Sequence, residues 1–297
     1  MSPRTAAIIG GGPAGLMAAE VLAKSGGIAV DVYDAMPSVG RKLLRAGVGG
    51  LNLTHSEPEI AFRGRYGTEK EFVSPWLEVF GAAALRRWAE DLGVQTFIGS
   101  SGRVFPKEMK AAPLLRAWLG RLRGAGVRFH LRHRWIGWDG EALRFQTPEG
   151  ALNRMPDVAI LALGGGSWSR LGSDAAWVQL LAARGIQVNP LRPSNCGFET
   201  LWSEHFRARF AGAPVKPVTA WVEDHVPIQG EFVVTARGVE GGLIYALSAR
   251  LLDAIAAQGS VTLHLDLAPN RDLPRLLHDL RKPRHGQSMA NQLRKQA

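Results

Sequence analysis

Ala6-Ala7-Ile8-Ile9 runs directly into Gly10-Gly11-Gly12-Pro13-Ala14-Gly15. Gly10, Gly12 and Gly15 keep the spacing G-x-G-x-x-G, in which each glycine has its own mechanical task. The first permits a tight turn, the second lets backbone approach a pyrophosphate, and the third lets helix and strand pack closely. A helix expected through about Lys24 would present free N–H groups and a partial positive charge to phosphates. Asp34, with Ala35 behind it, closes a short strand from Ile28 to Tyr33 and is placed to accept hydrogen bonds from a ribose hydroxyl. The glycine spacing alone also occurs in plain structural turns. Strand, glycines, helix, strand and acid in that order predict a dinucleotide site.

Two further segments could touch such a ligand. Residues 40–55, G-R-K-L-L-R-A-G-V-G-G-L-N-L-T-H, read as neither strand nor helix. Their glycines interleave with Arg41, Lys42 and Arg45, so a loop is expected that passes close to a ligand and supplies cations to its phosphates. A plain glycine-rich surface loop is the alternative. Pro156 to Gly166 reads as a fully buried strand that breaks into glycines, and its Leu161-Ala162-Leu163-Gly164 turn is a second place for backbone beside a dinucleotide. Other chemistries find little support. Cys196 is the single cysteine, which excludes an internal disulfide framework and a C-x-x-C pair and reads as structural rather than redox-active. His130 and His133 lie three apart with no partner ligand nearby, so no metal site is expected. G-x-S-x-G is absent, against a hydrolase nucleophile elbow. His55 reads either as a proton donor beside the ligand or as a capping or solvent-facing histidine.

The elements that must hold these residues alternate between strand and helix over the first 190 residues, the pattern of an α/β fold with a parallel sheet. Phe80, Ala84, Trp88 and Leu92 form one core stripe, and Leu115, Trp118, Leu119 and Leu122 another. Val127 to Leu131 and Ala142 to Gln146 are expected to belong to a small β-meander, followed by a helix from about Asp174 to Arg184. Beyond Asn189, prolines punctuate β-like runs at Val218 to Glu223 and Glu231 to Thr235. Val261 to Leu267 reads as a half-buried strand and Tyr245 to Ala257 as a helix. The expected division is residues 1–190 as a dinucleotide-binding domain, 191–268 as a β-rich substrate domain, and 269–297 as the start of a basic helical piece.

With 46% apolar and 21% charged residues, the composition is that of a soluble globule. No apolar run approaches the roughly 18 residues of a membrane helix. No signal peptide is read at the N-terminus, and with a single thiol a reducing cytoplasm is expected. The net charge of +10 is dispersed except over residues 271–297, where seven Lys/Arg face two Asp. No aromatic-interleaved basic motif or helix-turn-helix signature accompanies it, so nucleic acid is not expected as a partner. An anionic cofactor or substrate would draw on the same field.

With these segments in place, the chain resembles the BaiN/YhiN-like flavoprotein family, FAD-dependent oxidoreductases related to bile-acid reductases. The matching text is I-I-G-G-G-P-A-G-L-M-A-A-E at 8–20, the block at 40–55, G-R-V-F-P at 102–106, L-A-L-G-G-G-S-W at 161–168 and G-E-F-V-V-T-A-R-G-V-E-G-G at 230–242. The resemblance implies a Rossmann-like FAD-binding domain, a parallel sheet with a β-meander, plus a β-rich second domain. It implies that Gly10, Gly11, Gly12, Pro13, Ala14 and Gly15 hold the FAD pyrophosphate and that Asp34, next to Ala35, meets the adenosine ribose. Arg41, Lys42 and the loop from Gly47 to Asn52 would lie along pyrophosphate and flavin. Backbone near Trp135 would border the adenine, and Ala162, Leu163 and Gly164 would cross near the phosphates. No catalytic residue is assigned, because a flavin carries out hydride transfer itself.

Departures from the family pattern shape the remaining expectations. The family's flavin domain is discontinuous, and its glycine-rich returning segment over the isoalloxazine is not found before Ala297. A fragment, a truncated product or a variant that closes its site with another chain is therefore expected, with lowered flavin affinity. Gly50-Leu51-Asn52 stands where the family often has Arg-Cys-Asn. Gly164 and Gly166 lead to Ser169 where a third glycine would be required, so no separate NAD(P)H domain is expected. NAD(P)H would then bind transiently over the ring, or another electron donor would serve. The expected function is FAD-dependent reduction of a small organic substrate, such as one with an activated double bond. A non-catalytic fragment and a basic RNA-associated flavoprotein are the alternatives.

Overall fold

β1 (Arg4–Ile9) turns at Gly10 into α1 (Pro13–Ser25), and two glycines return the chain into β2 (Ile28–Asp34). Pro13 starts α1 where its missing N–H has no helical acceptor to lose. Next come α2 (Arg41–Ala46), β3 (Thr54–His55), α3 (Glu59–Gly64), α4 (Lys70–Phe80) and α5 (Ala82–Asp91). β4 (Thr96–Ile98) and β5 (Arg103–Pro106) lead into α6 (Ala111–Gly124). The run ends with β6 (Arg128–Leu131), β7 (Arg134–Asp139), β8 (Ala142–Thr147), β9 (Gly150–Arg154), β10 (Val158–Leu161) and α7 (Trp177–Ala182). The computed structural model describes residues 3–223, 225–281, 286, 288, 290 and 291, and divides into two units, Met1–Leu191 and Arg192–Ala297.

The first unit is built on a parallel sheet in the order β10-β1-β2-β6, as expected for an α/β Rossmann fold. Ile8 lies between Ile160 and Val32 in register. β7, β8 and β9 form the antiparallel meander, and β3, β5 and β4 a second small sheet. Four expectations change here. Residues 128–131 leave the meander and join the parallel sheet, Tyr33 opposite His130, because the α6 crossover delivers them alongside β2. Residues 41–46 form a helix rather than a loop, started by Gly40 in a left-handed conformation (φ 70°) that keeps clear of Leu115. β10 is not fully buried: it forms a sheet edge, and Val158 and Leu161 are exposed. Gly81 divides the first helical stripe, so Phe80 ends α4 half out in solvent while Trp88 is buried in α5.

Alternation along β1 splits the core in two. On one face Ile8, Val30 and Val32 pack with Leu16 and Ala19 of α1, Trp88 of α5, and Leu114, Leu115, Trp118 and Leu122 of α6. On the other, Ala7, Ile9 and Tyr33 meet Trp135, Leu143 and Phe145 of the meander. One carboxylate is buried in the helical layer, that of Glu20, only 3% exposed. Its Oε2 accepts hydrogen bonds from Nε1 of Trp88 (3.0 Å) and of Trp118 (2.7 Å). Its Oε1 accepts from Lys24 Nζ (2.7 Å) and Arg121 Nη1 (3.1 Å). A single side chain of α1 thus binds α5 and α6, whose indoles meet edge to face at 4.7 Å. Burial pushes the Glu20 carboxyl up, but the hydrogen bonds from Lys24, Trp88 and Arg121 together hold it below the ordinary glutamate value.

The second unit contains β11 (Phe198–Glu199), α8 (Glu204–Phe210), β12 (Pro214–Val222), β13 (Ile228–Val234), β14 (Gly238–Glu240), α9 (Gly242–Gln258), β15 (Leu263–Asp266) and α10 (Leu273–Arg281). Its sheet is antiparallel in the order β11-β14-β13-β12-β15. Leu243, Ile244, Leu247 and Leu251 of α9 cover Val218, Ala220, Val222, Phe232 and Val234. Val261 to Leu267 is half-buried only at its start, because β15 is an edge strand and Leu265 and Leu267 are exposed. The basic segment after α10 lies almost wholly outside the described residues. Among the described residues, no helix is long and apolar enough to cross a membrane.

Glu20→Ala would leave two buried indole N–H groups without their acceptor, at an expected cost of about 2–4 kcal/mol in unfolding free energy by urea titration. Because the folded-state pKa lies below the unfolded one, the Glu20 carboxylate stabilises the fold above about pH 4.5. That contribution is lost as pH falls through the folded value. Glu20→Gln should therefore show a shallower loss of stability on acidification than the parent chain, measured by denaturant titrations across that range.

Candidate functional site

The glycine turn is fixed by contacts that no side chain would survive. Gly10 has φ 111°, and a Cβ there would stand 2.2 Å from the carbonyl oxygen of Ala162. A Cβ on Gly15 would lie 1.9 Å from the carbonyl oxygen of Gly10. Gly12 is different: a Cβ there would meet nothing within 4 Å. Two glycines therefore permit close packing, while the third keeps the space over the α1 N-terminus clear. No side chain caps that end of α1, so its first N–H groups remain available.

This clear space belongs to a cavity of about 420 Å³. Of the sequence-predicted residues, Gly10, Gly11, Gly12, Pro13, Asp34, Arg41, Lys42, Ala162, Leu163 and Gly164 line it. A smaller cavity, about 90 Å³, shares Gly10, Asp34 and Leu163 with the first and adds Tyr33, Ala35, His133, Trp135 and Trp177. Asp34 borders both. Its Oδ2 accepts from the Gly11 amide and its Oδ1 from the Met36 amide, each at 2.8 Å. Burial pushes its carboxyl above the ordinary value, against the pull of those two amides and of Arg41 and Arg134. Each oxygen keeps further lone-pair capacity for a ligand hydroxyl.

Two cations of α2 face the larger cavity without a carboxylate partner among the described residues. Lys42 Nζ donates to Ser167 Oγ (2.9 Å) and Ser173 Oγ (3.4 Å). Arg41 Nη1 donates to Ser38 Oγ (3.3 Å), while Arg41 Nε is buried and has no partner. In the smaller cavity, Trp135 Nε1 is likewise buried and unpartnered. Arg45 stacks over the Trp168 ring at 5.2 Å, so α2 is tied to the segment after β10 at several points. Trp177 Nε1 donates to the Gly164 carbonyl and fixes that turn (3.1 Å).

Of the remaining sequence-predicted residues, Ala14, Gly15, Gly47, Asn52 and His55 line neither of these two cavities. Ala14 and Gly15 lie within the first turn of α1, where Gly15 serves packing. Gly47 is buried against Ala111, and Asn52 is exposed. His55 holds a turn: its Nδ1 accepts from the Glu57 amide (3.1 Å), leaving Nε2 to donate to the Ser101 carbonyl (2.9 Å). His130 and His133 pack around Tyr33 and hydrogen-bond to Asp31 and the Leu131 carbonyl. No group of metal-ligating side chains occurs among the described residues.

Sequence reasoning missed Ser167, Ser173, Met36 and Ser38. The only signal for the first two was the density of Gly and Ser from 164 to 173. Ser173 is 3% exposed and is held by its donation to the Gly165 carbonyl (2.8 Å).

A dinucleotide fits these residues. Two buried donors without acceptors, Arg41 Nε and Trp135 Nε1, stand on two cavities that meet at Gly10 and Asp34. The cations would suit anionic phosphates, and the tryptophan-lined space a heteroaromatic ring.

Comparison with known proteins agrees with this architecture. Residues 4–264 match the family model described as the HI0933-like protein Rossmann domain. The chain is 27% identical over 274 residues to the 3-dehydro-bile acid delta(4,6)-reductase of Clostridium scindens, covering 89% of this chain and 64% of that protein. It is 26% identical over 270 residues to the ribosomal RNA dihydrouridine synthase of Haemophilus influenzae, covering 90% of this chain and 65% of that one. The chain thus spans just under two thirds of the length of these relatives. Thermovibrio ammonificans THI4 aligns at 18% identity with a TM-score of 0.41, covering 63% of each chain. The match over residues 4–264 bears out the resemblance read from the motifs: the chain belongs to the HI0933-like family of Rossmann-domain proteins.

Proposed function

We propose that the chain binds FAD through the Gly10–Asp34 turn and α2, and serves the reduction of a carbon–carbon double bond activated by a neighbouring carbonyl. The observation that carries this reading is the pair of buried, unpartnered donors, Arg41 Nε and Trp135 Nε1, on cavities joined at the glycine turn. When bound, FAD supplies the hydride and electron chemistry. The chain's own residues bind and orient it. Gly10 to Gly15 and the free amides of α1 receive the pyrophosphate, together with Arg41 and Lys42. Asp34 accepts from a ribose hydroxyl, Ala35 and Trp135 border the adenine, and Ala162 to Gly164 run beside the phosphates. Gly47 and Asn52 take a more distant part, through the packing of α2 and the loop that follows.

The names of the two relatives support the reaction type, since one is a delta(4,6)-reductase and the other a dihydrouridine synthase. Both describe the saturation of a carbon–carbon double bond. The substrate in this reading is a small organic molecule received by the β-rich unit, and the electron donor is NAD(P)H or another reductant binding transiently. The single thiol suits a reducing cytoplasm.

A second reading has its own support. A net charge of +10, a pI near 10.3 and the relative named for ribosomal RNA favour an RNA substrate for the same chemistry.

The purified chain should show flavin absorption that dithionite bleaches, and heat should release FAD identified by chromatography. Gly12→Glu places a carboxylate in the clear space over α1 and should abolish the colour while the chain still unfolds cooperatively. Arg41→Ala should weaken FAD binding by about tenfold or more, the worth of one charge-assisted contact. A folded but colourless parent chain, or full flavin content in Gly12→Glu, would overturn the assignment. If RNA is the substrate, filter binding of an RNA should weaken steeply between about 50 and 200 mM salt. Binding indifferent to salt would remove the second reading.

A further inference from the structure

The second unit contains a cavity of another character. It has a volume of about 420 Å³ and is lined by β11, β13, β14, α9 and the start of β15. Its floor is buried and apolar: Phe232 is 3% exposed and Leu251 2%. Trp202 forms a wall that is held in place from two sides. Its Nε1 donates to the Gly238 carbonyl (3.1 Å), and its ring packs against Phe206 with centroids 4.6 Å apart. The polar end of this indole is therefore satisfied, and its carbon surface is what the cavity receives. Thr200 and Ser260, both exposed, are among the lining residues.

Charge separates this cavity from the one at the glycine turn. Among the described residues no lysine, arginine or histidine lines it, so its described walls offer no cation to a phosphate or carboxylate. Glu199, the carboxylate among its described lining residues, is paired with Arg237. A sealed void of this size in a small core would forfeit a large share of a domain's stability, because its walls lose contacts on one side. An open, preformed apolar cleft with a few polar groups is instead the form of a small-molecule site.

We propose that this cavity binds an uncharged, largely apolar ring compound carrying a hydroxyl or carbonyl, with its body against Trp202, Phe232 and Leu251. Its polar group meets the hydroxyl of Thr200 or of Ser260. The proposal stands apart from the flavin reading, since no residue of the glycine turn takes part.

The test uses the full chain and the neutral dye Nile red. Titration should give saturable binding, with a blue-shifted dye emission and quenching of tryptophan emission. Trp202→Phe should keep the dye affinity and lose most of the quenching. Leu251→Trp fills the floor and Ile255→Phe narrows the cleft. Each should lower the dye affinity by about tenfold or more while melting by circular dichroism stays cooperative. If Leu251→Trp fails to fold, the milder Ile255→Phe decides. Dye binding that does not saturate, or that is unchanged in a folded, filled variant, would overturn the proposal. Flavin content is expected to be the same in all these variants, so a colourless parent chain would leave this result standing.

Discussion

Everything at the glycine turn depends on how closely four backbone segments converge there. The Gly10 amide donates to the Tyr33 carbonyl, the Ala162 amide to the Ile9 carbonyl and the Gly40 amide to the Gly11 carbonyl, each at 2.8 Å. β1, β2, the end of β10 and the approach to α2 are thereby locked around a single point. The absence of a Cβ at Gly10 and Gly15 is what permits this convergence, since either atom would overlap a carbonyl. With those bonds formed between the segments themselves, the uncommitted donors are the first amides of α1. Shape and binding capacity come from the same few residues.

Charge is arranged on the same principle. Glu20 absorbs Lys24 and Arg121, and Asp31 holds Arg128, so these cations of the first unit are neutralised by carboxylates. Arg41 and Lys42 are treated otherwise. Among the described residues their hydrogen bonds go to serine hydroxyls, weak partners that fix position without cancelling charge. An anion arriving in the cavity would meet cations already in place, with little reordering to offset.

What could be seen in the sequence was mostly local. β1, α1 and β2 follow from an apolar run, a proline, glycines and an acid within about one β-α-β unit's length. α2 was hidden because Gly40 starts it in a left-handed conformation, and the glycines around it imitate a loop. β6 has the pattern of any short strand, and only its neighbour β2, almost a hundred residues earlier, decides which sheet it enters. The apolar text of β10 promised burial, yet its place at a sheet edge decided otherwise. Of the site, the glycine turn, Asp34 and the cations were legible as residue types. Ser173 was not, nor was the unmade bond of Arg41 Nε, since both depend on which segments meet in space.

The open flank of β10 has a colloidal consequence. Among the described residues β10 pairs only with β1, and such an edge bearing exposed Val158 and Leu161 is a template on which another chain could add a strand. Mutual repulsion between molecules of charge +10 opposes such encounters at long range. Salt screens that repulsion within about 10 Å at 0.1 M, but leaves the apolar attraction intact. The positive net charge therefore opposes strand addition at this edge, and dilute buffer is the medium in which that repulsion is strongest.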